Sequence, residues 1–497
     1  MGPPLQGLRF LATGEGRVLG AAVELLELLG ADVVRISALA GPVHATRSGE
    51  IDAVGALDAS GLLGDPPFPV VRLADDPDPA AAWAASGAAA LTGDPGAAPY
   101  GPPGVLVERV LGVGAVVQLL AACRGAALDL DPLALLGERA AIAGFSRRGT
   151  TSVGGVCEIV PAADGWIALN LARREDVDAL PALLDGEAQP SDWPAVRAAV
   201  ARRTRAELVE RATLLGMPLG AWPGPDGTEV PTPFRVDGDE PRRRFSGGEA
   251  GGVVGDAPER PLVVDLTSLW AGPLATSLLH AAGARVVKVE GSRRPDGARR
   301  GPKAFFDLLN VGKECLALDF SEARDRDLLG ALIERSDLVV EASRPRVMTG
   351  LGVDPRDVVR TGRTTWIAIT GHGREGDVAM RVAFGDDAAF EGGCTVDEPP
   401  RFVADAVADP VAGLYAAAAG LAAVVGRRGN VIDLALARAA GYARGHRGPR
   451  AARYDQSDGR ADGRVAEPRA RPVVGDAAAL GAHSDSLRAE FGYGRSV

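Results

Sequence analysis

Two stretches of the chain run through the same series of hydrophobic periods. From Leu8 to Ser37 the residues read LRFLATGEGRVLGAAVELLELLGADVVRIS, and from Leu262 to Gly291 they read LVVDLTSLWAGPLATSLLHAAGARVVKVEG. Each predicts a strand, a loop, an amphipathic helix and a second strand. Gly30 and Gly283 stand where a helix C-cap glycine belongs. The second strands, ADVVRI and ARVVKV, are β-branched runs suited to a buried parallel sheet.

A second pair of segments also matches. GVLVERVLGVGAVVQLLAA, from Gly104, parallels DAVADPVAGLYAAAAGLAAV, from Asp405, with Glu108 opposite Asp409 and Gly112 opposite Gly413. The offset between the copies is here larger by roughly 50 residues, so the first copy lacks a block that the second keeps. Between the copies, GFSRRGTTSVGGVCEIVPAADGW predicts a glycine-rich loop, a strand and an Asp-Gly turn. A polar helical stretch from Trp193 to Leu214 and LGMPLGAW complete a small α+β domain.

These patterns predict an α/β protein with Rossmann-like open parallel sheets in two unequal copies, plus the small α+β domain. The expected divisions are 1–140 for the first copy, 141–235 for the small domain, 236–260 for a polar glycine-rich linker, 261–440 for the second copy, and 441–497 for a flexible segment and tail. Pro410 to Gly426 reads as a buried alanine-rich helix rather than a membrane span.

Composition narrows the classes. The chain has 497 residues, 46% of them hydrophobic, which is more than one core holds. A net charge of -11 argues against nucleic acid or an anionic membrane as the main partner, while leaving room for a local basic pocket. Lysine occurs only at Lys288, Lys303 and Lys313. The four cysteines form no CxxC pair and the five histidines no HxxxH spacing, so no disulfide framework or metal site is expected. The N-terminus shows no charged region followed by an apolar run, and the expected location is the cytoplasm.

Gly14-x-Gly16-xxx-Gly20 and Gly371-x-Gly373-xx-Gly376 both follow strands, but neither is a dinucleotide fingerprint. The strand after the first ends in Arg35-Ile36-Ser37 without an acid, and the matching loop SLWAGPL has no glycine pattern. Asp409 precedes Pro410 at a helix start. It reads either as an ordinary N-cap or as a carboxylate kept ionised and nucleophilic by the positive helix end. Lys313, in NVGKECLALDF, reads either as a phosphate contact or as a solvated lysine. EASRPRVM places two arginines at the C-terminal edge of a strand, where open α/β sheets bind ligands.

In register, LVVDLTSLWAGPLATSLLHAAGARVVKVEG, RRPDGARRGP, FFDLLNVGKECLALDF, SDLVVEASRPRVMTGLGV, WIAITGHGREG and PPRFVADAVADPVAG resemble the class III CoA-transferases. That family includes formyl-CoA and carnitine CoA-transferases and is related to α-methylacyl-CoA racemase. The resemblance covers Leu262 to Gly426, and the first half resembles the family with less fidelity. It implies an interlocked CoA-transferase fold and an aspartate nucleophile, at Asp409. It implies coenzyme A and acyl-CoA as substrates beside a carboxylic acid, with no permanently bound cofactor. The implied CoA-binding positions are Leu269, Trp270 and Ala271 after the first strand, Arg293 and Arg294 near Gly291, and Leu318. Ala342 and Ser343 stand where the family commonly has Asn-Phe. Arg344 and Arg346 lie near Gly350, and Arg381 takes the place of a residue reaching the phosphates. The glycine-rich loop from Gly149 to Gly155 is the expected water-excluding lid.

The related racemases need a histidine just before an aspartate, and here Gly385 precedes Asp386. Racemisation needs two opposed proton-transfer groups, so transfer is the expected chemistry. The alternatives are an acyl-CoA racemase or isomerase and an inactive CoA-binding subunit. With Glu108 in the aspartate's place and a block missing, the first copy is expected to be inactive. The chain then reads as a fused pseudo-dimer with one working site, monomeric or paired again as a homodimer.

Overall fold

The computed structural model describes residues 3–36, 55–58, 68–73, 76–224, 231–237, 260–361, 364–396, 398–446, 453–454 and 465–493. The first β-branched runs form a parallel sheet of β1 (Arg9–Thr13), β2 (Asp32–Ile36), β3 (Gly55–Asp58) and β4 (Val70–Arg72), in the order β2-β1-β3-β4. The middle segment folds as an antiparallel sheet of β5 (Cys157–Ala162), β6 (Gly165–Asn170) and β7 (Leu219–Ala221). Its Asp-Gly turn joins β5 to β6.

The largest sheet holds β8 (Phe234–Val236), β9 (Leu262–Leu266), β10 (Arg285–Gly291), β11 (Glu314–Leu318), β12 (Leu338–Glu341), β13 (Thr365–Thr370) and β14 (Val431–Ala435). Its order is β11-β10-β9-β12-β13-β14-β8, parallel except for the edge strand β8. The switch point lies between β9 and β12, where ligands settle in doubly wound sheets.

The two parallel sheets share an arrangement. β2-β1-β3-β4 repeats the order of β10-β9-β12-β13, and no described strand in the first sheet occupies the place of β11. That strand carries the NVGKECLALDF segment, which is the block absent from the first copy.

Six helices frame the sheets and the cleft between them: α1 (Arg17–Leu28), α2 (Leu106–Ala122), α3 (Ala271–Ala281), α4 (Gly385–Glu391), α5 (Ala408–Gly426) and α6 (Leu436–Arg444). α2 packs on α1, α5 packs on α3, and α2 meets α5. Both close pairs depend on a glycine. A Cβ at Gly112 would stand 2.8 Å from Ala21 Cβ, and one at Gly413 would stand 2.8 Å from the Ala271 carbonyl. One apolar core runs through all four helices, from Leu19 to Val425. α5 is long and apolar enough to cross a membrane, yet nearly all of it is buried within this core.

Two boundary expectations are corrected. Phe234–Val236 does not close the small domain but pairs with β14, because the register Phe234↔Leu434 extends the large sheet. The tail is not a loose extension, because its apolar residues have a surface to cover. The helix Ser484–Glu490 lies on β11, where Leu487 and Phe491 enter the core of the large sheet. Upstream, Arg471 donates to both oxygens of the fully buried Glu138, and Gly87 approaches Pro468 too closely to carry a side chain. The expected linker falls largely outside the described residues.

Candidate active site

Asp409 lies in the first turn of α5, two residues past its cap Val407. It is therefore not the N-cap expected from the Asp-Pro sequence, and no side chain caps this helix. The positive helix end still faces its carboxylate.

The approach to α5 is unusual. Ala404 and Ala406 both adopt left-handed backbone, with φ of 50° and 43°. Such residues cost on the order of 1–3 kcal/mol each and persist where the surroundings fix them. Here the Thr92 hydroxyl accepts the Ala404 N–H at 3.1 Å, and the Asp386 carboxylate accepts the Ala406 N–H at 3.2 Å. Between them, Asp405 is fully buried and takes a two-pronged ion pair from Arg139, whose Nε stands 3.0 Å from Oδ2. Arg139 comes from the short helix Glu138–Ala143, on the other side of the small domain in sequence, and its guanidinium lies 5.1 Å from the Trp270 ring centre.

α4 closes the opposite wall. The Gly385 N–H donates to the Asp409 carboxylate. A Cβ at Gly385 would stand 2.6 Å from Asp409 Oδ2 and would collide with the Ala406 carbonyl. Asp386 follows, bonded also by the Ser152 side chain from the glycine-rich loop. Asp387 is buried and accepts from Asn170 Nδ2 at 2.7 Å.

Asp409, Asp386 and Asp405 thus crowd one cleft. Burial pushes the Asp409 carboxyl up to about 7; Arg139 pulls it down, while Asp386 and Asp405 add to the rise. Asp386 is raised to about 6 for the same reason, burial outweighing Arg139. A carboxylate that exchanges its proton near neutrality in a cleft is a functional-site signature. Asp409 alone of the three keeps partial solvent access.

The positions implied for CoA divide into two groups. Leu269, Trp270 and Ala271 form the loop from β9 into α3, as expected. Leu269 is 41% exposed with φ of 70°, and its N–H is held by Asp296 Oδ1. Asp296 is in turn paired with buried Lys288 at 2.9 Å. Lys313 belongs to the same buried network, 3.0 Å from Asp265 Oδ2, and burial lowers its ammonium to about 8. It is neither a phosphate contact nor a solvated lysine, because Asp265, Thr276, Asn310 and the Pro273 carbonyl take its protons.

Past β12, Ala342 is exposed, and Ser343 donates to buried Glu341. Arg344 and Arg346 come next in the chain, joined by Arg294 and by Arg173 of the small domain. Partial burial and then the charges of Arg346, Arg173 and Arg294 press the Arg344 guanidinium below its usual range. Arg294, Arg344 and Arg346 have no ion-pair partner among the described residues. Arg173 is itself paired with Asp176, so the open charge of this patch at the C-terminal edge of the sheet is that of the other three arginines. Arg293 sits beside it, paired with Asp319.

Two implied positions do not join this patch. Leu318 is fully buried at the end of β11, and only its carbonyl, which accepts from Ser292, faces the loop. Arg381 commits its two terminal nitrogens to Glu391 and the Leu219 carbonyl, tying α4 to the small sheet in place of a phosphate contact. The loop Gly149 to Gly155 does reach the site, through Ser152. Sequence reading missed Arg139, Asp405 and Arg173. No local pattern marks Arg139, whose partner lies 266 positions away.

The matching site in the first half is built differently. Glu108, in the first turn of α2, is paired with Arg17 at 2.8 Å. The N-terminus of α1 is already occupied, because Asp76 accepts the N–H groups of Arg17 and Val18.

Residues 261–466 match the model of CoA-transferase family III. The chain is 31% identical over 130 residues to the acetyl-CoA:oxalate CoA-transferase of Acetobacter aceti, covering 25% of this chain and 33% of that protein. It is 32% identical over 194 residues to a probable fatty acyl-CoA transferase of Mycobacterium tuberculosis, covering 35% and 48%. A crystal structure of a CAIB/BAIF family protein from Brucella suis aligns with a TM-score of 0.35 and 28% identity, over 37% of this chain and 55% of that one. The chain spans less than half the length of these curated relatives. Over residues 261–466 this chain is thus similar to CoA-transferase family III.

Proposed function

We propose that this protein moves coenzyme A between an acyl-CoA thioester and a carboxylic acid, with Asp409 as the nucleophile. A carboxylate oxygen of Asp409 attacks the thioester carbonyl. The C–S bond breaks, CoA leaves as thiolate, and an acyl-aspartyl anhydride remains. The thiolate then attacks the aspartyl carbonyl and releases the first acid. The incoming acid takes the CoA through a second anhydride. Splitting the transfer in this way is covalent catalysis.

The observation that carries this reading is the setting of Asp409. It is partly accessible, it sits at a helix start, it receives the Gly385 N–H, and no ion pair neutralises it among the described residues. The arginines 294, 344 and 346 supply the charge that CoA phosphates require. The approach of Ser152 to Asp386 supports a role for its loop in excluding water from an anhydride, which would otherwise hydrolyse.

Racemisation is disfavoured by space. It needs a second proton-transfer group opposite the first, and at position 385 even a Cβ has no room. We further read the first half as a partner fused in one chain, its own carboxylate Glu108 tied to Arg17. In this reading one chain carries one working site.

Intact-protein mass spectrometry after mixing with acetyl-CoA, succinyl-CoA and formyl-CoA, with hydroxylamine trapping, tests the assignment. An acyl adduct that maps to Asp409 and disappears in Asp409→Ala is the expected result. Retention of the adduct in that variant, or its absence with all three thioesters while CoA binds, overturns it.

A further inference from the structure

We propose that Arg139, from the half of the chain outside the family match, is the positioning residue that keeps Asp409 ionised, with Asp405 as the clamp that aims it. This rests on the reading of Asp409 as nucleophile.

The charged groups facing Asp409 are Asp386 from α4, Asp405 from the turn before α5, and Arg139 from the Glu138–Ala143 helix. The groups behind them are the Ser152 hydroxyl and the neutral Cys157 thiol near Asp386, and Asp387 with its Asn170 partner. Arg139 is the cation in this set. It cannot swing away, because both prongs of its guanidinium are fixed on Asp405 and its face lies toward Trp270. Asp405 is fixed by the two left-handed residues beside it. Glu138, next to Arg139 in sequence, is itself anchored by Arg471. A planar fork bound on one edge with its face against an indole is a rigid point of positive charge.

The chemistry needs that charge. Attack uses a lone pair of the Asp409 carboxylate, forms the C–O bond of the anhydride, and passes the negative charge to the departing sulfur. No proton enters or leaves. A protonated Asp409 is a far weaker nucleophile, and its attack would leave a proton to be removed; two neighbouring carboxylates favour protonation. Arg139 opposes them, so the two members of the Arg139–Asp405 pair act on Asp409 with opposite sign. The guanidinium is spent on Asp405, and its pull on Asp409 is coulombic, through space.

That opposition is open to test. The probe is single-turnover acylation of Asp409 by acetyl-CoA or succinyl-CoA, whichever gives the adduct, followed by mass across a pH series on the full chain. Arg139→Met is expected to move the midpoint of the profile up by at least about one unit. That is roughly a tenfold loss at about pH 6, with recovery to near the parent rate at about pH 9.5. Arg139→Lys, which keeps the charge, is expected to leave the midpoint within about half a unit. Asp405→Asn removes a like charge and is expected to move it down.

A fall of equal size at every pH in Arg139→Met, or shifts of the same direction in Arg139→Met and Asp405→Asn, overturns the proposal. Should Arg139→Met fail to fold, Asp405→Asn carries the test, and an unmoved or raised midpoint overturns it. The two readings fail separately. No adduct on parental Asp409 sinks the nucleophile assignment, whereas a normal adduct with an unmoved midpoint in Arg139→Met sinks only the role of Arg139.

Discussion

Glu108 and Asp409 stand at matching places, each in the first turn of a long apolar helix that packs through a glycine on the helix after the first parallel strand of its sheet. Their surroundings have diverged in one respect. Glu108 has Arg17 at 2.8 Å, and the neighbouring helix end is filled by Asp76. Asp409 has one backbone N–H and two like-charged neighbours, and its nearest cation is engaged with Asp405. An acid with one oxygen held in an ion pair, as Glu108 Oε1 is by Arg17, is a strut. An acid with no ion pair among the described residues, and only partly buried, keeps its lone pairs for a substrate. The difference between the copies is therefore in what is withheld from the carboxylate rather than in the carboxylate.

The sharpest break in this comparison is Asp409→Asn. It is expected to lower transfer by at least about 10³-fold, since an amide cannot form the anhydride. Its stability is expected to move the other way. The folded Asp409 carboxyl holds its proton more tightly than an unfolded one, so its unfavourable contribution grows as pH rises from 3.8 through about 7 and is absent below. Thermal unfolding should show Asp409→Asn more stable than the parent at about pH 8, by on the order of 1–3 kcal/mol, and equal to it near about pH 4. A variant less stable at the higher pH would mean that the carboxylate is satisfied after all.

Gly385→Ala comes next. The added methyl meets both the Ala406 carbonyl and Asp409 Oδ2. Acylation is expected to fall by about 10–100-fold with a loss of about 1–3 kcal/mol in stability. Denaturant titration alongside the adduct assay separates the two. Arg471→Ala leaves Glu138 buried without its partner. It is expected to cost about 2–3 kcal/mol, the half-exposed arginine discounting the full value for a buried pair. Any accompanying upward shift in the acylation profile would tie that pair to Arg139. Glu108→Gln should do least. It is expected to change acylation less than about threefold and stability by at most about 1 kcal/mol, because Arg17 is half exposed. A large loss of turnover there would erase the contrast between the two copies.

Much of the scaffold was legible locally. β-branched runs placed β2 and β10, the glycines at 30 and 283 do take positive φ, and the alanine-rich run is a buried helix. The absent block showed as an offset in the sequence, and no described strand fills its place in the sheet order. The site was legible only at Asp409 and its loop. Arg139, Asp405 and Arg173 act across long separations or across the small domain, and periodicity carries no information at that range. Lys313 misled because a charged residue after a turn looks exposed. Only the fold brings Asp265 beneath it. The tail misled because arginine and glycine between Gly441 and Arg471 masked two short apolar docking segments.

The docking of residues 465–493 has a consequence for timing. Ribosomes deliver the chain from the N-terminus, so the first sheet, the small domain and Asp409 itself are made before Arg471. Glu138 waits without its partner through that interval, and with it the helix that carries Arg139. A chain made as far as residue 470 therefore holds every group around Asp409 but not the last fastener on its cation. The setting of Asp409 would then be complete only once the segment around Arg471 has docked.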